Sequence, residues 1–237
     1  MKRIAKVAAL AAVLSMMLVG WANAADQTVL GRSFIVKNPG SPDKRKVTGA
    51  AKEVGSSATI VGDPTIPGSP GGAMLGSPGG AILGSAGGAI LDVIAHGDHP
   101  TSQLFGLKQG TTSTGKPFWR ASGANGFKYK DPKGDQGPVK VVIIKKNTAG
   151  VFVIKVVVRG KTGGTIAVVP PNLGTDGFIT IQLGHGDRYC VKYGADGDVI
   201  NDGDRLFKVR RPSIEGCPAS PSSPSGAFVD GPHDQSD

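Results

Sequence analysis

Val151-Phe152-Val153-Ile154-Lys155-Val156-Val157-Val158-Arg159 is the run whose reading decides the fold. β-Branched and aromatic side chains crowd a helix at χ1 and fit a pleated sheet, so the run reads as a strand. Residues 151–158 are apolar at both odd and even positions, which predicts a central strand covered on both faces. Outward from it, short runs rich in Val, Ile and Phe are separated by Gly, Pro, Asn and Asp, the pattern of strands joined by turns. Strands are expected at 33–37, 58–61, 89–95, 139–145, 151–159, 165–169, 178–183, 189–193 and 205–209. Phe127-Lys128-Tyr129-Lys130 alternates apolar with cationic, so that strand has one buried and one wet face. No stretch after residue 25 keeps a 3.6-residue period, and 37 Gly with 17 Pro among 237 residues tell against a helical bundle. Hydrophobic residues at 39% and charged residues at 19% supply a core of ordinary size.

Repetition refines this expectation. Residues 68–91 hold a tandem octapeptide, Gly-Ser-Pro-Gly-Gly-Ala-Met-Leu and two near copies, which reads as an insertion-tolerant loop whose last copy runs into a strand. A weaker repeat sets Gly88-Ala89-Ile90 and His96-Gly97-Asp98 against Gly177-Phe178-Ile179 and His185-Gly186-Asp187, 89 positions later. The same offset carries Phe118 to Phe207, while Thr59-Ile60 resembles Thr165-Ile166 at 106 and Phe34 aligns with Ile143. The fold expected is an all-β antiparallel sandwich of two internally duplicated units, about 30–122 and 139–211.

The N-terminus reads as an export signal. Lys2, Arg3 and Lys6 precede an apolar run over 7–19, and Ala22-Asn23-Ala24 is a small-x-small cleavage site. Such a run spans only about 20 Å of a roughly 30 Å hydrocarbon core, too short for an anchor. Residues 1–24 are therefore expected to be removed, leaving a secreted or periplasmic β-rich domain over 25–217 with no lipid anchor and no membrane span. Cys190 and Cys217, an even count in an oxidising compartment, are expected to form a disulfide. The Pro-, Ser- and Gly-rich stretch 218–237 has almost nothing to bury and reads as a disordered tail.

The chemistry available is sparse. No nucleophile elbow, phosphate-cradling loop or His-Glu-x-x-His is present, and most aspartates sit beside Gly or Pro, so an enzyme is not expected and no cofactor is implied. His96, Asp98, His99, His185 and Asp187 are the candidate metal-ligand cluster, which two packed units would bring together. The competing reading is that each His-Gly-Asp is a strand-ending turn. The acidic run 196–204 lacks the oxygen ligands of an EF-hand-like loop at its third and twelfth positions and reads as a hairpin loop. Trp119 is either a sugar-stacking platform or core. The formal charge of +9 is concentrated between residues 127 and 161, where Lys128, Lys130, Lys133, Lys140, Lys145 and Lys146 form a candidate patch for acidic cell-surface polymers. The competing reading is that these lysines guard strand edges, and nucleic acid is not an expected partner.

Trp119, Gly126-Phe127-Lys128-Tyr129-Lys130-Asp131-Pro132, Arg188-Tyr189-Cys190 and Cys217-Pro218 together resemble the signature of an uncharacterised family of exported bacterial β-rich proteins. The resemblance covers most of residues 28–218. It implies export and a β-rich fold, and no activity. The chain departs from the pattern in its octapeptide expansion and at Tyr193-Gly194-Ala195-Asp196, where an aromatic followed by two glycines is expected. The expectation is an exported, non-catalytic structural or binding protein. The alternatives are a polyanion- or carbohydrate-binding module, or an unfamiliar hydrolase.

Overall fold

The computed structural model describes residues 24–66, 88–161, 164–194, 196–213 and 215–218. The expected signal segment, most of the octapeptide repeat and the expected tail beyond Pro218 lie outside them. The described residues form thirteen strands and no helix: β1 (Asp26–Thr28), β2 (Gly31–Lys37), β3 (Lys46–Glu53), β4 (Ala89–Gly97), β5 (Thr101–Leu107), β6 (Trp119–Ala121), β7 (Asn125–Lys130), β8 (Val139–Lys146), β9 (Phe152–Arg159), β10 (Gly174–Leu183), β11 (Arg188–Tyr193), β12 (Asp198–Asp202) and β13 (Leu206–Arg210). They build a five-stranded sheet, β1-β11-β10-β4-β5, and an eight-stranded sheet, β12-β13-β2-β3-β9-β8-β7-β6. Only the β1–β11 pair is parallel. The inner faces of the two sheets share one core, with Leu91, Ile179, Ile181 and Tyr189 on one side and Phe34, Val36, Ile154 and Val156 on the other, all without solvent exposure. The fold is an all-β sandwich.

β9 lies mid-sheet between β3 and β8, as its composition predicts, yet it is covered on one face only. Phe152, Ile154, Val156 and Val158 are buried, whereas Val153 and Val157 are half-buried on the outer face beside the exposed Lys155 and Arg159. The expected strands at 58–61 and 165–169 do not form. Ala58, Ile166 and Val168 do point into the core, but side chains take up the backbone groups of both segments. The Thr59 amide donates to Gln27 Oε1 at 2.6 Å, the Val61 amide donates to the Tyr189 hydroxyl at 2.6 Å, and Lys146 Nζ donates to the carbonyls of Ser56 and Ala58, each at 2.8 Å. In the second segment the Ala167 amide donates to Gln103 Oε1 at 2.7 Å, the Thr101 hydroxyl donates to the Val169 carbonyl at 3.0 Å, and Arg45 donates to the Ile166 carbonyl at 2.7 Å. With these groups satisfied, neither segment needs a ladder partner.

β3, by contrast, forms from Lys-Val-Thr-Gly-Ala-Ala-Lys-Glu, a poor strand sequence. It is paired on both edges, by β2 and β9, and Gly49 leaves room for the opposite sheet. A Cβ there would sit 2.0 Å from Ile179 Cδ1 and 3.1 Å from the Tyr193 hydroxyl. Tyr193 is fully buried, stacks on Phe34 at 5.1 Å, and its hydroxyl has no hydrogen-bond partner. The acidic run expected to be a loop contains edge strand β12, hairpinned to β13.

The strand order of the eight-stranded sheet is symmetric about the β3–β9 pair: β2 and β8 flank it, then β13 and β7, then β12 and β6. The registers follow the same symmetry. β2 shifts register against β3 between Gly31 and Ser33, and β8 shifts against β9 between Val139 and Val141. Gly31 therefore corresponds to Val139, and Phe34 to Val142, with the same alternation of burial along both strands. The turns before β13 and β7 correspond as well, with left-handed glycines at Gly203 (φ 48°) and Gly123 (φ 74°).

The equivalences expected from sequence are nevertheless displaced. An odd offset such as 89 would carry Leu91, in the core, onto Thr180, which lies on the outer face of β10, and sheet faces alternate strictly. Phe34 likewise corresponds to Val142 and not to Ile143, which is half-buried on the outer face. Phe118 and Phe207 are both buried, at 3% and 0%, but not at equivalent places. Phe207 faces Val36 across β13–β2 as Phe127 faces Ile144 across β7–β8.

Candidate functional site

The histidines and acids of the candidate ligand cluster do not converge. β4 and β10 run antiparallel, with His96 opposite Asp176 at one end of the pair and Ala89 opposite Leu183 at the other, so His96 and the turn holding His185 lie at opposite ends of the five-stranded sheet. His96 Nδ1 is 3.2 Å from Asp176 Oδ1 and its ring meets Phe178 edge-on at 5.6 Å. Asp98 and His99 are exposed in the β4–β5 turn. Asp187 binds the β1 segment, accepting from the Ala25 amide at 3.0 Å and from the Gln27 amide side chain. Close backbone approach explains both motif glycines: a Cβ on Gly97 would lie 2.5 Å from the Leu173 carbonyl oxygen, and one on Gly186 2.2 Å from that of Val61.

Cys190 and Cys217 form the expected disulfide. Asp26 lies close to both sulfurs, and the disulfide leaves no thiolate there to bind a metal. The same edge is tied by Arg188, which donates twice to Asp26 at 2.7 and 2.5 Å, and by the Thr28 hydroxyl, which donates to Glu215 at 2.7 Å. Trp119 is 4% exposed, with Nε1 donating to the Leu107 carbonyl at 3.1 Å and its ring 5.3 Å from Tyr129, so it is core and offers no stacking platform. Asp131 is fully buried. Its Oδ1 accepts from the amides of Gly134 (2.7 Å) and Asp135 (2.8 Å) and its Oδ2 from that of Gln136 (2.8 Å), which folds the loop after β7 around one carboxylate. On the outer face of β4, burial pushes Asp92 up to about 6, against the pull of the Arg188 charge.

The cationic candidates separate by face. Lys128 and Lys130 of β7 and Lys145 of β8 point outward from the eight-stranded sheet, opposite Ile143, Val141 and Gly126. Lys146 has the other parity, turns inward and is spent on the Ser56 and Ala58 carbonyls, so it leaves the patch. Lys133 lies in the Asp131 loop, where its carbonyl accepts from Lys161 Nζ at 2.9 Å. Lys140 is half-buried at the β8 register shift, and burial lowers its pKa.

The outer face gains cations from strands that sequence proximity does not connect. Lys37 lies opposite Lys46, and Lys46 opposite Arg159, so three cations stand in a row across β2, β3 and β9. Burial, then Arg159 and Lys37, depress the pKa of Lys46. Lys155 lies two outward rows from this one and Lys52 three, and Lys208 and Arg210 extend the face on β13. From β13 to β6 the outward strand positions hold no acid and no aromatic ring; Asp198 and Asp202 stand only on the far edge strand, β12. Beside the Lys37–Lys46 row, a concavity of about 760 Å3 is lined by Lys44 and Arg205 together with Asp202 and Asp204. The missed signal was parity: Lys46 and Lys52 alternate with core residues along β3, as Lys155 and Arg159 of the basic region 127–161 do along β9.

No helix among the described residues is long and apolar enough to cross a membrane. No family model matches the chain, and comparison with curated proteins and with solved structures finds no match to it.

Proposed function

We propose that this is an exported, non-catalytic binding protein whose outer eight-stranded face takes up acidic polymers of the cell surface. The observation that carries the reading is the row Lys37, Lys46 and Arg159. Like charges directly opposite one another in a sheet cost stability, about 0.2–1 kcal/mol per pair, and here two such contacts stand side by side with no acid interleaved. An anionic ligand turns that cost into attraction, and the surrounding face adds long-range steering. Edge protection alone does not account for these residues, because β2, β3 and β9 are interior strands. Export fits the signal-like N-terminus and the Cys190–Cys217 disulfide.

The test is retention of the purified protein on immobilised heparin at low salt and its release at moderate salt. A triple Lys37→Gln, Lys46→Gln, Arg159→Gln variant should elute markedly earlier while melting no lower than the parent, because both like-charge contacts are removed. Flow-through of the parent protein at low salt would sink the reading.

A further inference from the structure

The symmetry of the eight-stranded sheet extends to four pairs of its outward cations, although Lys46 corresponds to Val153 and Lys155 to Thr48. Because β2 and β8 share their register shift, Lys37 stands in one half where Lys145 stands in the other. Through β3 and β9, Lys52 corresponds to Arg159. Through the pairings of β13 with β2 and β7 with β8, Lys208 corresponds to Lys128 and Arg210 to Lys130. The surrounding sequences differ, Gly31 corresponding to Val139 and Phe34 to Val142, yet at these four pairs of positions a cation stands on both sides. Packing does not demand this, since outward positions of a sheet accept most polar residues.

We propose that the face holds two equivalent anion-binding halves and takes one linear polyanion laid across the strands, over the β3–β9 axis, gripped alike at both ends. This rests on the polyanion reading and adds the ligand's form. From β13 to β7 is five inter-strand steps, a span of about 24 Å at roughly 4.8 Å per step, so a ligand must exceed that length to meet both halves. Linking two half-sites through one chain raises affinity without new contacts, by effective concentration. The ligand's chemistry follows from the side chains present. Lysines outnumber arginines on the face, and an ammonium meets a phosphate or sulfate as a point charge without the bidentate geometry that an arginine imposes. The absence of aromatic rings from the outward positions between β13 and β6 leaves no platform for bases or sugars and no interfacial anchor for a bilayer. The occupant is a free linear polymer of phosphate or sulfate groups.

The experiment compares long-chain polyphosphate with tripolyphosphate, which is too short to span the axis, by titration calorimetry over a salt series. It uses the parent chain, a Lys208→Gln/Arg210→Gln variant, a Lys128→Gln/Lys130→Gln variant and the quadruple variant, with melting curves to show that all are folded. The long chain should bind at least tenfold tighter than the short one. Either double variant should reduce the slope of log affinity against log salt by the same amount, about 1.5 at roughly 0.7–0.9 per lost contact, and the quadruple variant by about twice that. Equal affinity for long and short chains, or an effect confined to one half, overturns the spanning site while leaving polyanion binding intact. Tighter binding to vesicles of anionic lipid than to the long chain overturns the free-polymer assignment. Binding of neither phosphate probe at low salt overturns the spanning site, and the functional reading falls with it when immobilised heparin also fails to retain the parent chain.

Discussion

Lys46 on β3 lies directly across from Arg159 on β9, cation facing cation at the centre of an eight-stranded sheet. Its other cross-strand neighbour is Lys37. Interior strands normally place opposite charges or apolar pairs in such positions. The arrangement makes the outer face an electrostatic reservoir, held by a core on the opposite side of the same strands.

Replacing Lys46 by Gln should therefore stabilise the protein while weakening its proposed activity. We expect a gain of about 0.2–1 kcal/mol at low ionic strength that shrinks toward zero in molar salt, where the Debye length is about 3 Å. Urea titrations at two salt concentrations measure it. A variant that is less stable at low salt would show that the Lys46 stem packs more than its charge repels.

Asp131 should behave as the linchpin of its loop. Asp131→Asn keeps one oxygen for the Gly134 and Asp135 amides but turns a donor toward the Gln136 amide, so a loss of about 2–3 kcal/mol is expected. A fall of several degrees in Tm would register it, and an unchanged Tm would contradict the assignment.

Asp92 gives stability a pH dependence with a definite sign. Its carboxyl is raised from 3.8 to about 6 by burial, so across that interval the folded chain holds a proton that the unfolded chain releases. The favourable contribution is complete below pH 3.8 and is lost as pH rises through about 6. Asp92→Asn should melt higher than the parent at pH 8 and at nearly the same temperature at pH 3.5. A Tm difference independent of pH would argue against Asp92 as its source.

Tyr193 carries a buried hydroxyl without a partner, and its ring alone supplies the stacking on Phe34. Removing the oxygen in Tyr193→Phe should be neutral or stabilising by up to about 1 kcal/mol. A destabilisation beyond that, read from chemical denaturation, would mean that the hydroxyl is satisfied.

Local sequence was enough to place β2, β4, β7, β8, β9, β10, β11 and β13, because β-branched and aromatic runs bounded by Gly, Pro and Asn favour a pleat wherever they lie. It was also enough for the pairing of Cys190 with Cys217, since two cysteines permit one bridge. Tertiary structure decided the rest. β3 is a strand only because partners on both edges and the Ile179 side chain above Gly49 make it one. Residues 58–61 and 165–169 have strand-like composition, yet they are bonded by Tyr189, Gln27, Gln103 and Arg45 from distant elements and need no ladder. The candidate site followed the same division. Lys128, Lys130 and Lys145 were legible as a basic cluster, but which cations share a face depends on parity and on which strands become neighbours. Alternation is a local property of each strand, whereas neighbours are chosen by pairing across long stretches of chain, and that choice alone put Lys37, Lys46 and Arg159 in one row.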